Sequence, residues 1–271
     1  MRIISKTILL FMVLLLAASC ASRHTIRPGD TLDVAFEKAM GLYERERYSQ
    51  AAQAFETVLS IARGTELAAD TQYYLAMSHY NNRAYLIAAS EFRRFTRNHP
   101  NDERRKEAAF MEAYCHYLMS PRYNLDQTES YQAIDRFQLF ISRYPGTDKA
   151  AEAAEYVQEL RNKLAKKKFY AAEMYFRIRE YRSAAVYYRL LVDRFPESEW
   201  TERAMVRQIE AYVEYAERSV RNMRQERYEQ AIESYQQYVQ TFPSGEKRPV
   251  AEEWYNRALD GLADVVTASA E

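Results

Sequence analysis

The chain has 271 residues, with 38 basic against 38 acidic side chains, six glycines and two cysteines. So even a charge leaves no electrostatic footprint for nucleic acid. Two cysteines build no disulfide framework, and the six scattered glycines form no phosphate-cradling loop.

Residues 1–19 have the layout of a secretory signal. Arg2 and Lys6 supply the positive start, and Ile8 to Leu16 give nine uninterrupted apolar residues, too few for a permanent membrane span. The run ends Leu16-Ala17-Ala18-Ser19-Cys20, which resembles the bacterial lipobox. That resemblance implies cleavage before Cys20 and palmitate-type acylation of its thiol and new amine; ordinary signal cleavage beside an incidental cysteine is the alternative. Each acyl methylene buried in a membrane contributes about 0.8 kcal/mol, so several chains anchor stably. Loss of Arg2 and Lys6 leaves 36 basic and 38 acidic side chains, a formal charge of −2. Residues 20–31 read as a short lipidated tether, and no later apolar segment is long enough to cross a membrane.

From Leu32 onward one frame recurs five times, centred on Ala51, Ala88, Ala133, Ala184 and Ala231. An aromatic stands three residues before the alanine (Tyr48, Tyr85, Tyr181, Tyr228), with Ser130 replacing it in the third copy. Another follows four residues after (Phe55, Phe92, Phe137, Tyr188, Tyr235), and a proline twelve after (Pro100, Pro145, Pro196, Pro243), with Arg63 in its place in the first copy. These offsets place small and aromatic residues on one helical face, where the alanine admits a neighbouring helix. The proline ends the helix, and Asp102, Thr147, Ser198 and Ser244 are candidates to cap the next. A preceding helix carries its own alanine twelve residues earlier in three copies (Ala39, Ala76, Ala172) and twenty earlier in two (Ala113, Ala211). The last two therefore hold insertions. One is the loop-like Ser120-Pro121-Arg122-Tyr123-Asn124; the other, near Ser219 to Asn222, lacks a breaker and reads as helix extension.

The pairs occupy about 32–64, 66–100 and 102–145, then a fourth and a fifth ending near 243. Between Asp148 and about Arg179 there is no proline or glycine, which predicts one long helix, ~48 Å at 1.5 Å per residue. Its first half is expected to act as a strut between an N-terminal half (32–145) and a C-terminal half (146–271). Lys166-Lys167-Lys168 read as a solvated face or as a contact for an acidic partner. A last helix from about Lys247 to Val266 is the expected cap, with Thr267 to Glu271 fraying. The pattern resembles the tetratricopeptide repeat (TPR) and implies an all-α superhelix of five helix pairs with a C-terminal capping helix.

No catalytic constellation is found, so the expectation is a protein that is not an enzyme and has no cofactor and no metal site. His79 and His116 each lie three residues after the alanine of a first helix, so packing explains both. Cys115 reads as a small buried apolar residue. What stands out is 23 tyrosines. Phe36, Met40 and Tyr43, then Tyr73, Met77 and Tyr80, then Phe110, Tyr114 and Tyr117 recur at fixed first-helix offsets. The TPR resemblance implies a concave groove at these positions, suited to a peptide with aromatic side chains; packing between repeats is the competing reading. Glu173, Arg177 and Glu214 make the equivalent surface of the last repeats more polar, which suggests a different partner there.

The order of lipobox, tether, five repeats and long helix resembles the BamD family of outer-membrane β-barrel assembly lipoproteins. Leu160-Arg161-Asn162-Lys163-Leu164-Ala165 running to Ala172-Glu173-Met174-Tyr175 looks like the family's fourth-repeat helix. Tyr181 to Ala185 with Phe195-Pro196-Glu197-Ser198 looks like the family's second helix and closing turn of that repeat. The resemblance implies a scaffold held by Cys20 at the outer membrane, facing the periplasm. Its partners would be a POTRA domain of a BamA-like barrel protein at the C-terminal repeats, unfolded outer-membrane protein clients in the N-terminal groove, and other assembly-complex lipoproteins. Tyr187-Tyr188-Arg189 stand where relatives often carry an arginine facing the barrel, so Arg177, Tyr187 and Arg189 are the expected contacts. A TPR lipoprotein adaptor for cell-wall synthesis or cell division is the alternative.

Overall fold

The computed structural model describes residues 26–270. The signal, Cys20 and the start of the tether lie outside the described residues. In chain order the helices are α1 Leu32–Glu44, α2 Tyr48–Ala62, α3 Leu67–Asn81, α4 Tyr85–Asn98, α5 Arg105–Met119, α6 Thr128–Arg143, α7 Asp148–Arg177, α8 Tyr181–Arg194, α9 Thr201–Glu217, α10 Arg221–Thr241 and α11 Arg248–Ala270. Among the described residues there is no strand, and the fold is the all-α helix-pair array of TPR proteins.

The ten repeat alanines explain the packing. Ala39, Ala51, Ala76, Ala88, Ala113, Ala133, Ala172, Ala184, Ala211 and Ala231 are all 0% exposed. Any larger side chain there would push a neighbouring helix away. Beside them Phe55, Phe92, Phe137 and Tyr188 are fully buried; full burial of such a side chain contributes roughly 1.5–3 kcal/mol. Where Ser130 replaces the aromatic, its hydroxyl instead bonds Ser120 Oγ at 2.6 Å.

Three of the within-pair turns are alike. Glu46, Arg83 and Arg179 adopt positive φ (58°, 60° and 66°) without being glycine. In each turn that residue's N–H and the next one's reach back to the helix just ended, as in Arg83 N to Tyr80 O at 2.9 Å and Ala84 N to His79 O at 2.9 Å. Satisfying two otherwise orphaned carbonyls offsets the left-handed conformation. This turn also stops α7 at Arg177, two residues before the expected end.

The expected caps are realised in part. Thr147 Oγ1 accepts from Ala150 N at 3.2 Å and opens α7 directly. Asp102 and Ser198 act one short turn ahead of α5 and α9, accepting from Arg104 N at 2.8 Å and Trp200 N at 3.2 Å. The entry to α11 is held by a distant group, Glu202, whose Oε1 accepts from Lys247 N at 2.8 Å. The helix continues to Ala270, past Thr267, where the sequence pattern predicts fraying. The insertions take the expected forms: residues 120–127 form a loop, and α10 is lengthened to 21 residues.

The chain divides into two compact units. Of the described residues, unit one holds those up to Ser120 and Thr128–Ala154; unit two holds Pro121–Gln127 and those from Glu155. Within unit two the 121–127 loop lies on α7. Lys167 Nζ donates to Leu125 O at 2.6 Å, and Lys166 Nζ sits 4.9 Å from the Tyr123 ring. Two of the three consecutive lysines thus contact this loop.

Candidate peptide-binding face and basic cleft

In unit one the nine expected groove residues fall on α1, α3 and α5. Tyr73 and Phe110 are buried, at 8% and 3% exposure, and the other seven are half-buried. Tyr73 meets Phe92 and Phe95 at 6.4 and 5.5 Å, with the Arg104 guanidinium 4.9 Å from its ring. Phe110 meets Phe137 and Phe140 at 5.7 and 5.5 Å. These two therefore belong to the repeat core. The remainder form runs of rings. Tyr114 stacks on Tyr117 at 5.8 Å and approaches Tyr80 at 6.4 Å. Tyr43 meets Tyr48 at 5.5 Å, and its hydroxyl accepts from Asn81 Nδ2 at 2.9 Å. Burial raises the phenol pKa of both Tyr43 and Tyr80. Both keep their proton at neutral pH and offer an apolar face with a donor tip.

One residue of this face is not visible in the repeat pattern. Tyr74 lies 5.3 Å from Tyr43, 6.5 Å from Phe36, 5.9 Å from Phe55 and 5.8 Å from Tyr73. Its offset from Ala76 carries no aromatic in the first, third or fifth repeat, so the only signal is the consecutive Tyr73-Tyr74 pair.

In unit two, α8, α9 and α10 enclose a cleft of about 340 Å³. It is lined by Arg182, Val186 and Arg189 of α8, Tyr212 and Tyr215 of α9, and Met223, Glu226, Arg227 and Gln230 of α10. Three guanidiniums against one carboxylate make it basic. The Arg227 guanidinium lies 3.8 Å over the Tyr215 ring, an arrangement that fixes the charge without neutralising it. Of the three expected barrel contacts only Arg189 lines this cleft. Tyr187 pairs with Tyr175 at 4.7 Å, and Arg177 is exposed at the last turn of α7.

Glu173 and Glu214 are not free surface charges. Glu173 accepts from Arg207 Nε at 2.7 Å and from the Tyr188 hydroxyl, and Arg207 also pairs with Glu210. Burial pushes the Glu210 carboxyl up, and burial together with the Glu173 bond pushes the Tyr188 phenol up. Glu214 pairs with Arg218. His79 and His116 stand apart on separate helices: His79 faces Glu56 at 3.8 Å, and His116 Nδ1 lies 2.7 Å from Glu129. Cys115 is 0% exposed, and burial pushes its thiol up to about 12. Among the described residues no cluster of three or more His, Cys, Asp or Glu is placed to hold a metal, and no helix is long and apolar enough to cross a membrane.

A family model described as YfiO, outer membrane lipoprotein, matches residues 29–227, most of both units. The chain belongs to this family, which is the BamD family. A putative outer membrane protein assembly factor BamD of Aquifex aeolicus is 25% identical over 203 residues, 74% of this chain and 66% of that protein. The BamD of Rickettsia prowazekii is 21% identical over 192 residues, 71% of this chain and 75% of its own length. The BamD of Caulobacter vibrioides is 24% identical over 136 residues, and the match spans 45% of that protein's length. Among solved structures, the TPR2AB domain of yeast Sti1 in complex with pHSP90 covers 90% of this chain and 95% of its own, at TM-score 0.41 and 14% identity. YrrB, a TPR protein with an unusual peptide-binding site, covers 88% and 95% at TM-score 0.31 and 13% identity.

The two stretches that carry the BamD resemblance touch each other. Arg161 of α7 bonds the Glu197 carboxylate, donates to Arg194 O at 2.9 Å and lies 5.2 Å over the Phe195 ring. Asn162 Oδ1 accepts from Glu199 N at 3.3 Å. The Phe195-Pro196-Glu197-Ser198 turn is thereby fastened to α7 and sets where α9 begins.

Proposed function

We propose that this chain is a non-catalytic lipoprotein scaffold for outer-membrane β-barrel assembly. A lipid on Cys20 holds it at the outer membrane, facing the periplasm. The observation that carries the reading is the family match across both units, in a family whose curated relatives are named outer membrane protein assembly factors. The geometry adds two surfaces of different chemistry. The half-buried face of Phe36, Met40, Tyr43, Met77, Tyr80, Tyr114 and Tyr117 receives an extended, aromatic-bearing segment of an unfolded outer-membrane protein, through ring contacts and phenol hydrogen bonds. The cleft of Arg182, Arg189 and Arg227 receives an acidic element of a periplasmic POTRA domain of a BamA-like barrel protein. Tyr73 and Phe110 support the first surface from beneath.

The test is a mild-detergent pull-down of the full-length lipoprotein from its own outer membranes. A stoichiometric barrel protein is expected, and recovery is expected to fall about tenfold or more in the Arg182→Glu, Arg189→Glu double variant, because like charges then face each other. Cell-wall synthases or division proteins without a barrel would overturn the reading in favour of an envelope adaptor.

A further inference from the structure

We propose that unit one carries a binding site for a small oxyanion, a phosphate or carboxylate group, in a cavity between the end of α2, the start of α3 and the end of α4. None of its lining residues belongs to the aromatic face, and the proposal does not depend on the assembly role. The starting point is the irregularity of the first repeat: Arg63 stands where the other four have proline. The turn does not need that arginine, because Gly64 supplies the break at φ 81°. Arg63 has no ion-pair partner among the described residues. It lines a cavity of about 300 Å³ together with Gln72, Arg94, Asn98 and His99.

Gln72 organises one side of the lining. It is 2% exposed. Asn98 Nδ2 donates to its Oε1 at 3.2 Å, and His99 Nε2 lies 3.1 Å from the same oxygen. These bonds tie the Asn98 side chain and the His99 ring, both in the cavity lining, to the buried Gln72 amide. Arg94 forms an ion pair with Glu91, Nη1 to Oε1 at 3.3 Å, and a guanidinium has further donors to spare. His99 is held below its usual pKa, chiefly by burial, so it is neutral at pH 7 and the positive charge comes from the two arginines. The two guanidiniums in the lining match the acceptor-only, delocalised edge of a carboxylate or phosphate.

The experiment follows thermal unfolding of the full-length chain while phosphate, or in a parallel series acetate, replaces chloride at constant ionic strength. A saturable rise in Tm is expected. The apparent affinity should weaken about tenfold or more in Arg63→Gln and in Arg94→Gln, as for loss of one charge-assisted contact. It should be unchanged in Arg97→Gln, an exposed α4 arginine outside the cavity. Because each variant is compared with itself across the titration, a lower starting Tm does not obscure the readout. Sedimentation of a Cys20→Ser chain with phosphatidylglycerol vesicles, against phosphatidylcholine vesicles, separates the sources. Binding to phosphatidylglycerol alone, abolished by Arg63→Gln, assigns a lipid headgroup; saturation by free phosphate or acetate assigns a soluble anion. A response that never saturates, one that Arg97→Gln diminishes equally, or no response to either anion or vesicle overturns the proposal.

Discussion

Tyr73 and Tyr80 lie seven residues apart on α3, nearly the same direction around a helix, yet their surroundings differ. Tyr73 is enclosed by Phe92, Phe95 and the Arg104 guanidinium, whereas Tyr80 packs half-buried at the margin of that core and meets Tyr85 and Tyr114 in tilted geometry at 5.9 and 6.4 Å. Tyr73→Ser therefore empties a core position and is expected to cost about 3 kcal/mol. Tyr80→Ser removes partly solvated surface and is expected to cost about 1 kcal/mol or less. Urea denaturation of the two variants checks the split, and titration with a peptide ending in aromatic residues should show Tyr80→Ser as the weaker binder at near-native stability. Equal destabilisation would make Tyr80 a core residue. At this scale the alanines were legible because a small residue at a close helix crossing leaves a periodic trace. Tyr74 and Gln72 left none, since their roles come from neighbours on other helices.

Helices recur where their terminators recur, so the α2, α4 and α8 starts and the long α7 could be read from spacing. The turns built on Glu46, Arg83 and Arg179 could not, because a left-handed residue without glycine has no sequence signature and is sustained only by the hydrogen bonds around it. The fastening of α7 to the 195–198 turn is testable through pH. The Arg161 bond lowers the Glu197 pKa from its usual 4.5. A carboxyl with a depressed folded-state pKa contributes stability that is present above about pH 4.5 and is lost as pH falls through the folded value. The pair is partly exposed, so the contribution falls in the range of ~0.2–1 kcal/mol. Glu197→Gln should therefore lower the urea midpoint at pH 7, and the difference from the parent chain should shrink progressively as pH falls below 4.5 and close once the pH is below the lowered folded-state value. A gap that persists unchanged at acid pH would show that the charge does not matter and only the shape of the turn does.

Each of the two units has its own buried core, and repeat arrays gain stability from neighbouring contacts rather than from one global core. Their polar accounting is unequal. Arg136 Nε and His79 Nε2 face carboxylates, Glu112 at 3.2 Å and Glu56 at 3.8 Å, but Gln72 Nε2, Glu91 Oε2, Arg105 Nε and His116 Nε2 are buried without a hydrogen-bond partner in unit one, against Trp200 Nε1 in unit two. Each such group costs about 1–3 kcal/mol when nothing compensates it. Unit one is therefore expected to open at lower denaturant than unit two. The chain carries natural reporters for both. Trp200 and Trp254, the two tryptophans, lie in unit two, so intrinsic tryptophan fluorescence follows that unit. Cys115 lies fully buried in unit one with its thiol pushed up to about 12, so it reacts with a thiol reagent only once that unit opens. In a Cys20→Ser chain, Cys115 labelling should reach its midpoint at lower urea than the fluorescence change, with the far-UV circular dichroism curve spanning both. Coincidence of all three curves would mean one cooperative transition, with the unpaired groups of unit one satisfied by bound water or anions strongly enough to equalise the units. Adding saturating phosphate then separates those two: a labelling midpoint that rises alone, with fluorescence unmoved, shows that the anion binds and stabilises unit one.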